Sequence, residues 1–206
     1  SLYRPFAPSW LYYDAALNER VYRMPRLFPI GDVAADNRVI CVSGGGDKLG
    51  FSALVTSAVP SLHMVDIEGT QCFPRWVYDV PEEASAEELA LKAASSKEVP
   101  PRRRDAITDA GLAHFQAAYP GEPITKDDLF HYVYGLLHSP DYRERFADNL
   151  SKELPRIPAV KRAEDFRAFV KAGRELGDLH CGFDKAEPYP VTVAEGDLRL
   201  ATILTP

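Results

Sequence analysis

Between Thr125 and Leu150 the apolar residues recur at helical spacing with polar residues between them. Leu129, Tyr132, Val133, Leu136 and Leu137 share one face, so the pattern predicts a helix over 125–138 that buries that face. Thr125 followed three residues later by Asp128 matches the arrangement that satisfies the free N–H groups of a helix start. Ser139-Pro140 ends this helix, because proline disfavours helical geometry in its predecessor. The same proline can open a second helix over 140–150, with Tyr142, Phe146 and Leu150 inward. Leu154-Pro155-Arg156-Ile157-Pro158 cannot continue it, since prolines remove backbone donors and impose an extended path. Two more helices are predicted over 108–119 and 163–179, the latter with Phe166, Phe169, Val170, Gly173 and Leu176 on one face.

The first eighty residues have a different rhythm. Trp10–Tyr13, Val39–Ser43, Phe51–Thr56 and Leu62–Val65 are short apolar or alternating runs between turn residues, which predicts a curved antiparallel sheet. The second and third runs flank Gly44-Gly45-Gly46-Asp47-Lys48 and read as a hairpin with a permissive tip. Residues 81–106, rich in acids and prolines, read as an insertion or linker with a helical turn around Ala86–Ala93. Strand-like runs return at Tyr189–Val193 and Leu198–Leu204 and are expected to join the N-terminal sheet. The resulting expectation is an α+β domain: a β-rich antiparallel half over 1–80, the linker over 81–106, and a helical half with a short C-terminal strand pair over 107–206.

Composition narrows the class. A chain of 206 residues with 46% hydrophobic content can bury a sizeable core. No apolar run approaches the length of about 20 residues needed to cross a bilayer, and the start SLYRPF lacks a secretory pattern, so a cytoplasmic location with no membrane partner is expected. Cys41, Cys72 and Cys181 are far apart and odd in number, which supports neither a disulfide framework nor a zinc site. The formal charge of −6 is unfavourable for a nucleic-acid binder, whose grip comes from neutralising phosphates. Its distribution is uneven, however: residues 81–100 carry five glutamates against two lysines, whereas residues 1–40 carry five arginines against four acids. A local basic surface is compatible with that pattern.

Several segments together resemble one family. Tyr3-Arg4-Pro5-Phe6, Trp10-Leu11-Tyr12-Tyr13-Asp14 and Cys72-Phe73-Pro74-Arg75-Trp76 come first, then Tyr132 to Leu137 with His138-Ser139-Pro140, Tyr142-Arg143 and Glu153 to Pro158. Phe166, Phe169, Gly173, Leu176 and Leu179-His180 complete the set, which spans nearly the whole chain. It resembles the C-terminal target-recognition region of type ISP restriction-modification enzymes, single polypeptides with nuclease, helicase-like ATPase and adenine methyltransferase regions. The resemblance implies a fragment of a larger polypeptide that recognises duplex DNA and contacts the methyltransferase and helicase regions beside it. The sequence carries no Asn-Pro-Pro-Tyr-type tetrapeptide, phosphate loop or helicase acidic box. The fragment is therefore expected to be non-catalytic and to hold no cofactor itself, the parent using S-adenosylmethionine, ATP and Mg.

Candidate contacts follow from residue chemistry. Gly45, Gly46 and Lys48 lack the spacing of a phosphate loop and read either as a plain hairpin tip or as a loop placing Lys48 on a phosphate or base edge. Arg102, Arg103 and Arg104 form the densest basic run, suited to successive phosphates or neutralised by nearby glutamates. Arg75, between Pro74 and Trp76, can either reach a guanine or pack on the indole. The five histidines show no metal-binding spacing, and no acid, base and nucleophile set is visible, so no catalytic and no metal-ligating residue is assigned. A rival expectation is a structural coupling module that joins methyltransferase and translocase without reading bases, which the acidic balance favours.

Overall fold

The computed structural model describes residues 1–13, 17, 22–29, 37–44, 50–67, 69–79, 102–187, 190, 192–193 and 203–204. The hairpin tip with Gly45, Gly46 and Lys48, and the helical turn expected at Ala86–Ala93, lie outside the described residues. Elsewhere the α+β expectation holds, with a strand-rich first half followed by helices and a final strand pair.

Three strands build the central sheet. β3 (Val39–Val42) lies between β4 (Ala53–Thr56) and β5 (Gln71–Pro74), antiparallel to both. Every residue of β3 and β4 is buried, as expected for strands covered on both faces. Alternation divides them: Ile40, Val42, Ala53 and Val55 join one core, while Val39, Cys41 and Leu54 join a second. The first core packs on the helices. The second is closed by Leu2 of the small ribbon β1 (Leu2–Arg4) and β2 (Ala7–Pro8), by Leu27 of α1 (Met24–Leu27), and by Phe28 and Met64.

At Arg75 the chain leaves this sheet. β6 (Trp76–Asp79) starts one residue after β5 ends and pairs instead with β7 (Arg102–Asp105). The Arg75 amide donates to the Arg38 carbonyl (2.8 Å), and its carbonyl accepts from the Ala106 amide (3.2 Å), so one residue belongs to both pairings. Fully buried Asn37 pins the switch: its Nδ2 donates to the carbonyls of Leu27 (2.6 Å) and Trp76 (3.0 Å), and its Oδ1 accepts from the Trp76 amide (3.1 Å). A buried amide with its hydrogen-bonding capacity met in this way costs little and fixes the bend.

The helices follow: α2 (Asp109–Ala118), α3 (Lys126–Leu137), α4 (Pro140–Arg145), α5 (Ala147–Leu150) and α6 (Ala163–Cys181). The Thr125–Asp128 capping box is present, with the Asp128 amide donating to Thr125 Oγ1 (3.1 Å) and the Thr125 amide donating to Asp128 Oδ2 (3.0 Å). α3 is buried on more than its predicted face, because Phe130, His131, Tyr134 and Gly135 are covered as well. The cause is close approach. α3 and α6 meet at Gly135 and Gly173, where a methyl group on Gly173 would lie 1.9 Å from the His131 carbonyl oxygen and one on Gly135 2.4 Å from that of Phe169. Fully buried Phe166 of α6 packs against the rings of Tyr132 (4.7 Å) and Tyr119 (5.1 Å), a contact whose truncation to alanine costs about 3–5 kcal/mol in comparable cores.

Three tyrosines hold the proline-rich exit. Tyr142 donates to the Arg156 carbonyl (2.7 Å), Tyr132 to Pro158 (2.6 Å) and Tyr119 to Val160 (2.7 Å). Burial pushes all three phenols above the ordinary tyrosine range, so each stays protonated and remains a donor.

Some expected elements differ. Trp10–Tyr13 and Leu62–Val65 are not strands. Their residue types favour a strand, but the backbone at 62 turns instead, with the Met64 amide donating to Ser61 and Thr70 to Leu62. β5 and β6 were hidden by Pro74, which an edge strand tolerates, and β7 by its four exposed residues, which present no apolar alternation. The helix expected over 140–150 breaks at Phe146, whose ψ of 19° departs from helical geometry. The tail strands β8 (Thr192–Val193) and β9 (Ile203–Leu204) pair with one another rather than with the N-terminal sheet.

Candidate nucleic-acid interface

The β6–β7 ribbon carries the basic run. Arg102–Asp105, expected at the end of the linker, is strand β7, with Arg102 opposite Asp79, Arg103 opposite Tyr78, and Arg104 opposite Val77. Strand alternation places Arg102 and Arg104 on one face and Arg103 on the other. All three are exposed.

Their partners differ. Arg104 donates through Nε to Asp79 Oδ1 (2.8 Å) and forms an ion pair with the same carboxylate. Arg103 stacks 4.3 Å above the Trp76 ring. Arg102 makes no ion pair among the described residues. The Arg104 hydrogen bond holds the Asp79 carboxyl below the usual carboxylate range against a smaller opposing effect of burial, and the charges of Arg104, Arg102 and Arg26 add to it. Several guanidinium groups therefore share one carboxylate, and the surface there is basic although the whole chain is acidic.

Arg75 is placed differently. Its guanidinium lies 5.0 Å from the Trp76 ring and pairs with Asp127 in the first turn of α3. Asp127 also pairs with Arg174 of α6 (2.8 Å), and Asp128 pairs with Arg167 (3.3 Å), which reaches Glu122 (3.3 Å). Burial would raise the Asp127 pKa, but the Arg174 hydrogen bond and the charges of His131, Arg75 and Arg174 outweigh it and hold the carboxyl low. The network joins the sheet-switching residue to both long helices.

For Gly45, Gly46 and Lys48 the structure describes only the frame. β3 and β4 form the expected antiparallel hairpin, closed by the Ser43 amide donating to the Ser52 carbonyl (3.0 Å), and the Gly44 amide donates to Asp66 Oδ2 (2.5 Å). Residues that the sequence did not join to the basic run also border the ribbon. Arg23, Arg26 and Tyr13, the last expected in a strand, line a cleft with Arg104. The available signal was the arginine surplus of residues 1–40; nothing in the spacing joined Arg23 to a ribbon eighty positions away.

What these residues assemble is a basic ribbon on a β-rich half, braced by helices through ionic and glycine contacts. The chain belongs to the Type ISP C-terminal specificity domain family, whose model matches residues 1–200. Its fold is similar to three solved structures. In the cryoEM structure of a DrdV–DNA complex the similar region is 37% identical, with a TM-score of 0.75, covering 95% of this chain and 17% of that one. A nuclease-deletion mutant of the Type ISP restriction-modification enzyme LlaGI, in complex with a DNA substrate mimic, is 30% identical with a TM-score of 0.67, covering 93% and 14%. The ATP-dependent Type ISP restriction-modification enzyme LlaBIII bound to DNA is 27% identical with a TM-score of 0.72, covering 96% and 12%. The chain thus spans less than a fifth of the length of each. No curated protein matches it. Among the described residues no helix is long and apolar enough to cross a membrane, and no group of histidine, cysteine or carboxylate residues is arranged to hold a metal.

Proposed function

We propose that this chain recognises a short sequence in duplex DNA and thereby directs the adenine methylation and ATP-dependent cleavage carried out by the rest of its polypeptide. The observation that carries the reading is similarity over 93–96% of the chain to enzymes whose structures were solved with DNA or a DNA mimic. The exposed arginines of β7 supply the chemistry, since guanidinium groups on a ribbon suit both phosphate contacts and bidentate contacts to guanine. In this reading the β3–β4 hairpin, with Gly45, Gly46 and Lys48, meets the same duplex. The helices hold the ribbon in place through the Arg75–Asp127 network. S-adenosylmethionine, ATP and Mg act in other regions of the polypeptide.

A second contact is favoured by a separate observation. Tyr3, Phe6, Trp10, Leu11 and Tyr12 are exposed large apolar residues within the first twelve positions, Trp10 fully so. Such a cluster suits docking against the methyltransferase or helicase region, the coupling role.

Transplanting the chain into LlaBIII in place of the matching region, then mapping the modified sites, tests the recognition reading. Modification at a new sequence set by the incoming chain supports it. Retention of the LlaBIII sites by a folded, active chimera would leave only the coupling role.

A further inference from the structure

Between the Tyr22–Leu27 segment, the Val59–Leu62 loop, the outer edge of β5 and the β6–β7 ribbon runs a cleft of about 940 Å³. Its size falls within the range of ligand sites in proteins. Among the described residues its cationic lining consists of Arg23, Arg26 and Arg104, and its one acidic side chain, Asp105, already faces Lys126 at 3.5 Å. Arg104 is held by Asp79, but neither Arg23 nor Arg26 makes an ion pair among the described residues. On the helical side Arg156, Arg162, Arg167 and Arg174 each face a carboxylate within 3.3 Å.

Two polar atoms of side chains that line this cleft are shielded from solvent and, among the described residues, lack a hydrogen-bond partner: Tyr13 Oη and Arg26 Nε. Both are donors. Buried donors without acceptors are rare in folded proteins, and each costs about 1–3 kcal/mol unless a ligand supplies the missing acceptor. Burial pushes the Tyr13 phenol up to about 12, so near neutral pH it carries its proton. Tyr22, at the rim, adopts a φ of 48°, a left-handed backbone that is costly for a bulky side chain and tends to persist where it serves a binding site. Leu27, Val59 and Pro60 supply an apolar wall beside these donors. A ligand that fits is therefore anionic at the donors and apolar between its charges, as a sugar–phosphate chain is.

We infer that this cleft receives the phosphodiester backbone of duplex DNA, held by the Arg23 and Arg26 guanidinium groups and the Tyr13 hydroxyl. The inference rests on the duplex-recognition reading and adds a division of labour to it. The cleft grips without regard to sequence, because phosphates are the same at every step, while the adjoining ribbon meets the bases. It also gives a chain of net charge −6 a local route to phosphate binding, since Arg23 and Arg26 line the cleft and make no ion pair among the described residues.

The test is binding of the purified protein to a random-sequence duplex over a series of salt concentrations. For Arg23→Ala/Arg26→Ala, the plot of log affinity against log salt is expected to flatten by about two, one released counterion for each lost contact. Arg23→Lys/Arg26→Lys keeps both charges and should keep the slope, which separates loss of contact from loss of fold. Tyr13→Phe should weaken binding without changing the slope, because it removes a donor and no charge. An unchanged slope in the alanine pair, with Arg102→Ala/Arg103→Ala still weakening binding, overturns the cleft and leaves the recognition reading standing. If neither pair alters binding and the LlaBIII chimera keeps its original sites, the recognition reading itself falls.

Discussion

Arg75, the single residue between β5 and β6, forms an ion pair with Asp127 in the first turn of α3. The residue that turns the chain from one sheet to the other is thus tied to the helix pair, and the ribbon inherits its direction from that tie. Both side chains are about a quarter exposed, 28% and 26%. The pair therefore lies between surface pairs worth 0–1 kcal/mol and buried ones whose breakage costs 3–5 kcal/mol. Arg75→Ala is expected to destabilise by about 2 kcal/mol, with Asp127→Asn similar and the double mutant less than the sum. Urea unfolding of the four proteins measures this. Strict additivity would mean that the pair contributes nothing of its own.

The α3–α6 contact gives a sharper contrast between two glycines of one helix. A methyl group at Gly173 would lie 1.9 Å from the His131 carbonyl oxygen and 2.7 Å from the Gly135 amide, both backbone atoms that cannot move alone. Gly173→Ala must push the helices apart and should cost about 3 kcal/mol or more. At Gly177 the nearest atom is the flexible Arg38 guanidinium at 3.4 Å, with Val55 at 3.7 Å. There the gain of about 1 kcal/mol from replacing glycine in a helix should offset the contact, leaving Gly177→Ala near neutral. Thermal melts of the two variants should differ clearly; equal losses would show that the helices do not meet as described.

This contrast marks what was legible in the residues. The helix starts at Thr108, Thr125 and Ser139 follow from capping side chains and proline, that at Ala163 from apolar periodicity alone, and the structure has its helices there. β3 and β4 were legible because each is a short apolar run beside a glycine turn. β7 was not, since Arg-Arg-Arg-Asp is a strand only through its pairing with β6, a partner more than twenty residues away. The burial of α3 on several faces was equally hidden, because it depends on glycines of two distant segments meeting. Of the candidate site, the arginine run was visible as charge, whereas Arg23, Arg26 and Tyr13 join it only in three dimensions.

Acid should weaken the fold in a defined window. Burial pushes His138 down to about 4, helped by the positive charges of Arg143 and His180, and burial also lowers His131 and His180. In the folded state these rings are neutral, while in the unfolded chain they take up protons near the ordinary value of 6.5. The unfolded state then binds more protons, so stability is complete above about pH 6.5 and declines as pH falls from 6.5 toward 4. Urea midpoints measured between pH 7.5 and 4.5 should fall steadily, and His138→Gln should flatten part of that slope. A midpoint constant from pH 7 to 5 contradicts the assignment.

Asp79 supplies the last prediction because it opposes the rest of its surroundings. It accepts a hydrogen bond from Arg104 at 2.8 Å, lies opposite Arg102 across the ribbon, and feels the charge of Arg26 as well. Replacing an acid usually weakens a protein that uses it, but here the carboxylate neutralises Arg104, which lines the phosphate-gripping cleft beside Arg26. Asp79→Asn should release Arg104 and raise the local charge by one. Affinity for a random-sequence duplex is then expected to rise several-fold at low salt, and the dependence of log affinity on log salt to steepen by about one. Discrimination between target and random duplex should narrow, since the gain is independent of sequence. Because Asp79 and Arg104 are both exposed, the change should leave stability nearly unaltered. Weaker binding by a folded Asp79→Asn protein would mean that Asp79 orients Arg104 toward the duplex and does not restrain it.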